Sequence, residues 1–290
     1  MVALIVLLAI DLASGVNVTA LTGQAATLAI IALGMTFVVV TGGIDLSVGS
    51  VYGLSAVLAA YASQWGVAAA VAVPLAAGAL FGATQGWLIS RKLLPSFVVT
   101  LCGALFVRGL LRFIKTEGHE TYLVPRTSGL LWVGQLTVVV AVVLYLAGGL
   151  LLQRTSFGLR VFAVGGSEDA SALMGVPVVR TKITAYVLSA VLASLAGVLS
   201  AGHLGMAVTS AGLWLEVEVV LVVVIGGTAL TGGVGSVSGT LLGVGVLWAL
   251  RGLVNEAGGM SMSIQTALSG VLLVVVVIAQ AMARGIRRAR

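Results

Sequence analysis

The sequence predicts an all-α polytopic membrane protein of about ten transmembrane helices, some of them broken, with an internal repeat. Three observations carry that prediction. Of the 290 residues, 60% are hydrophobic and only 8% are charged, against about 25% charged in a soluble domain. Mean hydropathy is +1.19, and the apolar residues fall into runs near the ~20 residues a helix needs to cross a bilayer. Finally, a glycine-rich stretch holding one carboxylate, TGGIDLSVGSVYG at 41–53, has an uncharged echo far along the chain. VVVTGGIDLSVGSVYG (38–53) reads against VVVIGGTALTGGVGSVSG (222–239), the second carrying two extra residues before VGSV. The shared VVVxGG, Leu and VGSVxG elements point to a duplicated helix–break–helix unit, and internal repeats that meet around a path are characteristic of transporters.

In chain order, 2–13 is apolar but short and interrupted by Asp11, so it is either a short or tilted first helix or the continuation of sequence before Met1. Spans follow at 22–40, 46–63, 67–90 and 95–114, the last carrying Arg108 and Arg112 four residues apart on one helical face. A polar connection at 117–128 precedes a span at 130–152, and 155–182 is the longest polar stretch. The remaining spans are 183–200, 213–230, 237–254 and 264–283. The whole chain, 1–290, reads as one transmembrane domain with a loop at 153–182. The first residues lack the basic region of a cleavable signal.

Lys and Arg in short loops mark the cytoplasmic side. Arg91-Lys92, the Arg154/Arg160/Arg180/Lys182 group and the arginines at 284, 287, 288 and 290 all qualify. The spans between successive clusters number two and then four, so every cluster falls on one side; an odd count would have broken the scheme. Ten spans with both termini inside follow. The 117–128 connection with His119 and Glu120, and the stretch 201–212, then lie outside, while Asp45 and its echo lie toward the cytoplasmic half.

Asp45 is the centre of interest. A charge at bilayer-centre depth costs roughly 2.5–3.5 kcal/mol on insertion scales, and irregular backbone at that depth is tolerated only when buried in protein or lining water. Gly42, Gly43, Gly49 and Gly53 around it let the chain bend. Two readings stay open: a turn between spans at the water boundary, or a break within the membrane beside a pathway. Asp45, Ser47, Gly42 and Gly43, with Gly226 and Gly227 of the echo and the acids Glu216 and Glu218, are the candidates for the pathway or its gate. Glu216 and Glu218 are two positions apart, about 200° around a helix, so they cannot share a face. Gly78, Gly82 and Gly86, and Gly235, Gly239 and Gly243, repeat every four residues; this spacing reads as packing seams where helix backbones approach closely.

Enzyme chemistry finds no support. None of Lys92, Lys115 and Lys182 follows a glycine, so there is no phosphate-cradling GxxxxGK[ST] loop. No HExxH, Cys/His cluster or GxSxG elbow is present, the single Cys102 sits in an apolar run, and His119 and His203 read as loop or interfacial residues. No catalytic residue, metal or cofactor is therefore expected. The basic residues are short clusters at span ends, which argues against nucleic-acid binding.

The loop 153–182 holds a short punctuated helix, GSEDASALMGVP at 166–177. Ser167 suits the N-cap, Glu168 and Asp169 place negative charge on the positive end of the dipole, and Gly175 suits the position after the last turn, with Pro177 preventing continuation. Ala170, Leu173 and Met174 form an apolar edge that fits either a partner's groove or the lipid surface.

At these residues the chain resembles the membrane-spanning permeases of ribose/xylose-type bacterial ABC sugar importers, within the branched-chain amino acid/ribose permease superfamily. The likeness runs from about 19 to 283. GGIDLSVGS and the preceding LGMTFVVVTGG are specific signatures; GLRVFAVGGSEDASALMGV is similar to the family's cytoplasmic loop, and LWLEVEVVLVVVIGGTALTGGVGSVSGTLLG to its late segment, with Glu216 and Glu218 on the family's acidic pair. The resemblance implies ABC ATPase subunits docked on the short acidic helix (Ser167, Glu168, Asp169, Ala170, Leu173, Gly175), a second permease subunit, an extracytoplasmic sugar-binding protein, surrounding membrane lipid, and a place in the bacterial inner membrane. ATP is bound by the partners. Three departures stand out: a short 117–128 connection, no basic cytoplasmic extension at the N-terminus, and Asp169 where the family commonly has Ala. The expected function is a conduit driven by separate ATPases; a secondary transporter or channel, with Asp45, Glu216 and Glu218 binding coupling ions, is the alternative.

Overall fold

The computed structural model describes residues 18–114, 121–256 and 262–288. The expected segment 2–13, the residues Glu117, His119 and Glu120, and the terminal Arg290 lie outside the described residues. The chain is overwhelmingly helical: α1 (Val18–Val40), α2 (Val48–Ala62), α3 (Val67–Ser90), α4 (Ser96–Ile114), α5 (Leu130–Gln135), α6 (Thr137–Arg154), α7 (Ser156–Gly166), α8 (Glu168–Leu173), α9 (Val178–Leu204), α10 (Leu215–Ile225), α11 (Val237–Glu256) and α12 (Met262–Arg288). Among the described residues, five helices are long and apolar enough to cross a membrane: α3, α4, α6, α9 and the 23–40 part of α1. This is an all-α polytopic membrane protein, with one small exception in the two strands described below.

Helix α1 is apolar all round, and such a helix is stable only when enclosed on every side. From Ile30 to Val40 nearly every side chain is buried, with Phe37 and the Val38–Val40 run wholly so. Around it pack α9, α6, α11 and α10. Helix α9 is the second central element, lying against α3, α2 and α1. By contrast α3, α4 and α6 turn Leu80, Leu105, Phe106, Val139 and Leu146 outward, the composition expected of faces that meet lipid.

The glycine seam on α3 does what its spacing predicts. A Cβ on Gly82 would stand 2.6 Å from the Tyr186 carbonyl and 2.9 Å from Val187 Cα, and Gly78 and Gly86 meet α9 as closely. The seam on α11 is equally tight: Gly239 faces the Gly226 carbonyl and Gly243 the Val222 carbonyl of α10.

Two expected spans and the polar stretch are built differently. Residues 213–230 yield only the 11-residue α10, about 16 Å long, because Gly226 and Gly227 end it. The run 130–152 divides at Leu136 into the one-and-a-half-turn α5 and the 18-residue α6. Helix α5 is pressed on the end of α9, with Gly134 against the Gly202 carbonyl carbon. The polar stretch 155–182 contains two helices, α7 as well as the expected short one, because Thr155 caps α7 by accepting from Gly158 N at 3.3 Å.

The two ends of the bundle are distinct. At one, β1 (Thr121–Leu123) and β2 (Met206–Val208) pair antiparallel, Tyr122 opposite Ala207, which joins the two connections expected outside. At the other end, the turn after α3 meets the first turn of α8 through Lys92 and Asp169, 2.9 Å apart, joining two of the basic connections.

Candidate translocation core and coupling surface

The break after α1 is built by glycine and then held by Asp45. Gly42 takes φ +80, a left-handed conformation that only glycine adopts without cost. Gly42 N donates to Val39 O at 2.9 Å and Gly43 N to Val38 O at 3.1 Å, the paired bonds of a Schellman cap. The echo repeats this geometry one residue later: Gly227 (φ +85) donates to Val224 O at 2.9 Å and Thr228 to Val223 O at 3.2 Å. The breaks also touch, with Gly233 N donating to Val40 O at 2.9 Å and Thr36 and Thr240 hydroxyls bonded at 2.7 Å.

Asp45 is only 1% exposed. Its Oδ1 accepts from Ser47 N at 3.0 Å and Ser47 Oγ at 2.6 Å, and its Oδ2 from Ser189 Oγ at 2.9 Å. Ser189 lies eleven residues into the 27-residue α9, about 17 Å along a helix of about 40 Å. The carboxylate is thus buried in protein beside the middle of α9. Ser47 has one hydroxyl proton, and the shorter contact assigns it to Asp45. Gln85 of α3, 3.1 Å from the same hydroxyl, is then satisfied with its amide nitrogen toward Ser47, an assignment that also gives a partner to the otherwise unpaired Gln85 Nε2. Asp45 therefore ties the break to α9 directly and to α3 through Ser47.

Glu216 and Glu218 leave α10 on different sides, as their spacing requires. Glu218 is ion-paired with Arg251 of α11. Glu216 points at α2, its Oε2 beside Gly49, and a Cβ on Gly49 would also stand 2.5 Å from the Gly212 carbonyl oxygen, so only glycine fits there. Arg108 of α4 interacts with Glu216 electrostatically and donates to Ala211 O at 2.7 Å, while Arg112 is exposed. Gly53 approaches Ala211 O at 2.5 Å from its virtual Cβ, so the loop before α10 is seated on the glycines of α2. His203, in the last turn of α9, rests against Gly23.

Between the Gly42–Gly43 break and the basic end lies a cavity of about 350 Å³, lined by Gly42, Gly43, Ser96, Tyr186, Lys92 and Lys182 among others. Directly beyond it is α8. Ser167 caps that helix, accepting from Ala170 N at 3.3 Å; Gly175 closes it at φ +79. Ser171 is buried beneath, whereas Leu173 is 91% and Met174 74% exposed. Glu168 pairs with Lys182 of α9 and lies 3.8 Å from Lys92. The hydrogen bond from Lys92 holds the Asp169 carboxyl below its ordinary range, and Asp169 and Glu168 hold the Lys92 ammonium above its own.

The sequence pointed to Asp45, Ser47, Gly42, Gly43, Gly226 and Gly227, and the fold brings both breaks together. It does not bring Glu216 or Glu218 to Asp45. Ser189, Gln85, Arg251 and the role of Arg108 were not read from the sequence. Gln85 had a signal, a polar side chain between Gly82 and Gly86 on the seam; Ser189, a small hydroxyl inside a long apolar helix, had none.

No solved structure matches this chain. Among characterised sequences, the inner membrane ABC transporter permease protein YjfF of Escherichia coli K12 is 38% identical over 272 residues, covering 88% of this chain and 80% of that protein. The ribose import permease protein RbsC of the same organism is 35% identical, covering 81% and 76% of the two chains, and its xylose transport system permease protein XylH is 31% identical, covering 81% and 77%. The family model for the branched-chain amino acid transport system permease component matches residues 17–277. A buried acid in a broken helix, its paired break and this match over nearly the full length lead to one conclusion: the chain belongs to the branched-chain amino acid transport system permease component family.

Proposed function

We propose that this protein is the membrane permease of an ATP-binding-cassette importer that carries a sugar or sugar-like solute into a bacterial cell. ATP is hydrolysed by separate subunits; an extracytoplasmic binding protein delivers the solute, and two permease subunits enclose the pathway. The single observation that carries the reading is α8: a helix capped at both ends, with Leu173 and Met174 exposed and Ser171 anchored beneath. An isolated six-residue helix is unstable in water, so capping and anchoring fit a rigid surface made to receive a partner. Two of the most similar relatives are named for ribose and xylose, which supports a sugar as the solute.

About ten spans with both termini cytoplasmic, in the inner membrane, complete this reading. The meeting of two basic connections at one end and of β1 with β2 at the other supports it, and the two Schellman-capped breaks support a duplicated unit. Asp45, Ser47, Gly42, Gly43, Gly226 and Gly227 then form the hinge of the pathway, with Glu216 beside it and Glu218 committed to Arg251. Alternating access follows from ATPase motion delivered through α8.

The test is pull-down of the ATPase by Ala170→Arg, which puts a long charged side chain into the docking edge, beside Ser128→Arg near the opposite end. Loss of ATPase and of uptake with Ala170→Arg alone, at normal membrane levels, is the expected result. Retention of both would reduce 166–177 to a linker.

A further inference from the structure

The first turn of α8 is joined to the transmembrane core by charge, and the joint lies on the wall of the cavity. Glu168 is shared by Lys182, near the start of α9, and Lys92, in the turn after α3. Both lysines also line the cavity under the Gly42–Gly43 break. The two contacts differ in kind. The side chains of Glu168 and Lys182 are 27% and 12% exposed, whereas those of Lys92 and Asp169 are 61% and 87% exposed. An exposed pair is screened by salt and worth little, while a largely enclosed pair leaves an uncompensated charge when one partner is removed. Glu168–Lys182 is therefore the firm connection and Lys92 the outer one. Lys92 is held at φ +54, a conformation uncommon for a side-chain-bearing residue.

We propose that Glu168 and Lys182 are positioning residues for transport: an ionic link through which displacement of α8 moves the lysine-lined wall of the cavity and so the inner mouth of the pathway. The proposal rests on the coupling reading above and adds the route by which force leaves α8. The chain itself joins α8 to α7 and α9; the carboxylate shared between Lys182 and Lys92 stiffens the joint to α9 and adds one to the α3–α4 turn, so that α8 pulls on two elements of the core together.

The experiment uses the full complex in inside-out vesicles, with Cys102→Ser to remove the native thiol and Ser96→Cys to report from the cavity. The rate of labelling by a membrane-impermeant maleimide is compared without nucleotide and with the ATPase trapped by ATP and vanadate. The expected result is a severalfold change in rate between the two states, retained in Lys182→Arg and lost in both Glu168→Gln and Lys182→Gln while the ATPase still co-purifies. Persistence of the nucleotide response in the Gln variants overturns the link, as does its loss in Lys182→Arg, its absence in the parent with ATPase bound, or loss of ATPase from the Gln variants, which would make these residues part of docking. Failure of the parent to hold any ATPase is a different result and overturns the permease reading itself.

Discussion

Replacing Asp45 in two ways separates its hydrogen bonds from its charge. Asp45→Asn and Asp45→Ala both remove the ionisable carboxyl, so the difference between them reports the hydrogen bonds together with the smaller volume of Ala at a buried site. In Asp45→Asn the retained oxygen still accepts from Ser47, and the amide can donate to Ser189 Oγ, which now accepts. In Asp45→Ala the Gln85 amide can rotate to present its oxygen to the Ser47 hydroxyl, 3.1 Å away, but Ser47 N–H and the Ser189 hydroxyl lose their acceptor. A buried donor left unsatisfied costs about 1–3 kcal/mol, so the two together place Asp45→Ala roughly 2–6 kcal/mol below Asp45→Asn. The lower end is favoured because a helical serine can turn to the carbonyl four residues back. For a chain of this size a difference of 2 kcal/mol lowers the melting midpoint by roughly 3 °C, measurable in detergent by tryptophan fluorescence. Uptake should follow the same order, with Asp45→Asn retaining more transport than Asp45→Ala. Equal midpoints for the two variants, with wild-type uptake by Asp45→Ala, would refute the role assigned to this carboxylate.

Three further outcomes are expected. Gly82→Ala places a methyl 2.6 Å from the Tyr186 carbonyl and should lower the melting midpoint clearly, while Gly149→Ala, with nothing within 4 Å, should leave it unchanged. Arg251→Ala strands Glu218 without its partner and should cost about 3–5 kcal/mol, much of it recovered when Glu218→Leu is added, since replacing a buried pair by apolar residues is often neutral; detergent melting of the single and double variants checks this. The Lys92–Asp169 contact should respond to salt more than to pH. The lowered carboxyl contributes above the ordinary value of 3.8 and is lost only as pH falls through its folded pKa, and the raised ammonium contributes below 10.5 and is lost only as pH rises through its own. The contribution is therefore flat through the neutral range and is screened as ionic strength rises, which uptake per ATP hydrolysed, measured at several salt concentrations, would show.

What the sequence revealed and what it hid divide along physical lines. Local rules were sufficient for α8, because N-cap, dipole and terminal glycine are all set by neighbours in the chain: Ser167, Glu168 and Gly175 sit where capping chemistry puts them. The Gly78/Gly82/Gly86 seam was legible for the same reason. Hydropathy found the apolar runs but not their breaks, since Leu136 and Gly226 interrupt stretches that remain apolar across the interruption. Partners across the fold were hidden. Nothing near Ser189 marks it as a donor to a residue 144 positions away, and the pairing of Glu218 with Arg251 depends on how α10 and α11 meet. Even the echo was offset, because the repeated feature is a left-handed glycine in a Schellman cap, at Gly42 in one copy and Gly227 in the other, one position away from the alignment of the letters.

The most direct measurement of the central claim is solute uptake into proteoliposomes holding the permease with its ATPase, with the binding protein and radiolabelled sugar outside and ATP or none enclosed. The account predicts accumulation that requires enclosed ATP and binding protein and is abolished by vanadate. Accumulation without ATP, driven by a proton or sodium gradient and insensitive to vanadate, would contradict it and identify Asp45 and Glu216 as sites for a coupling ion.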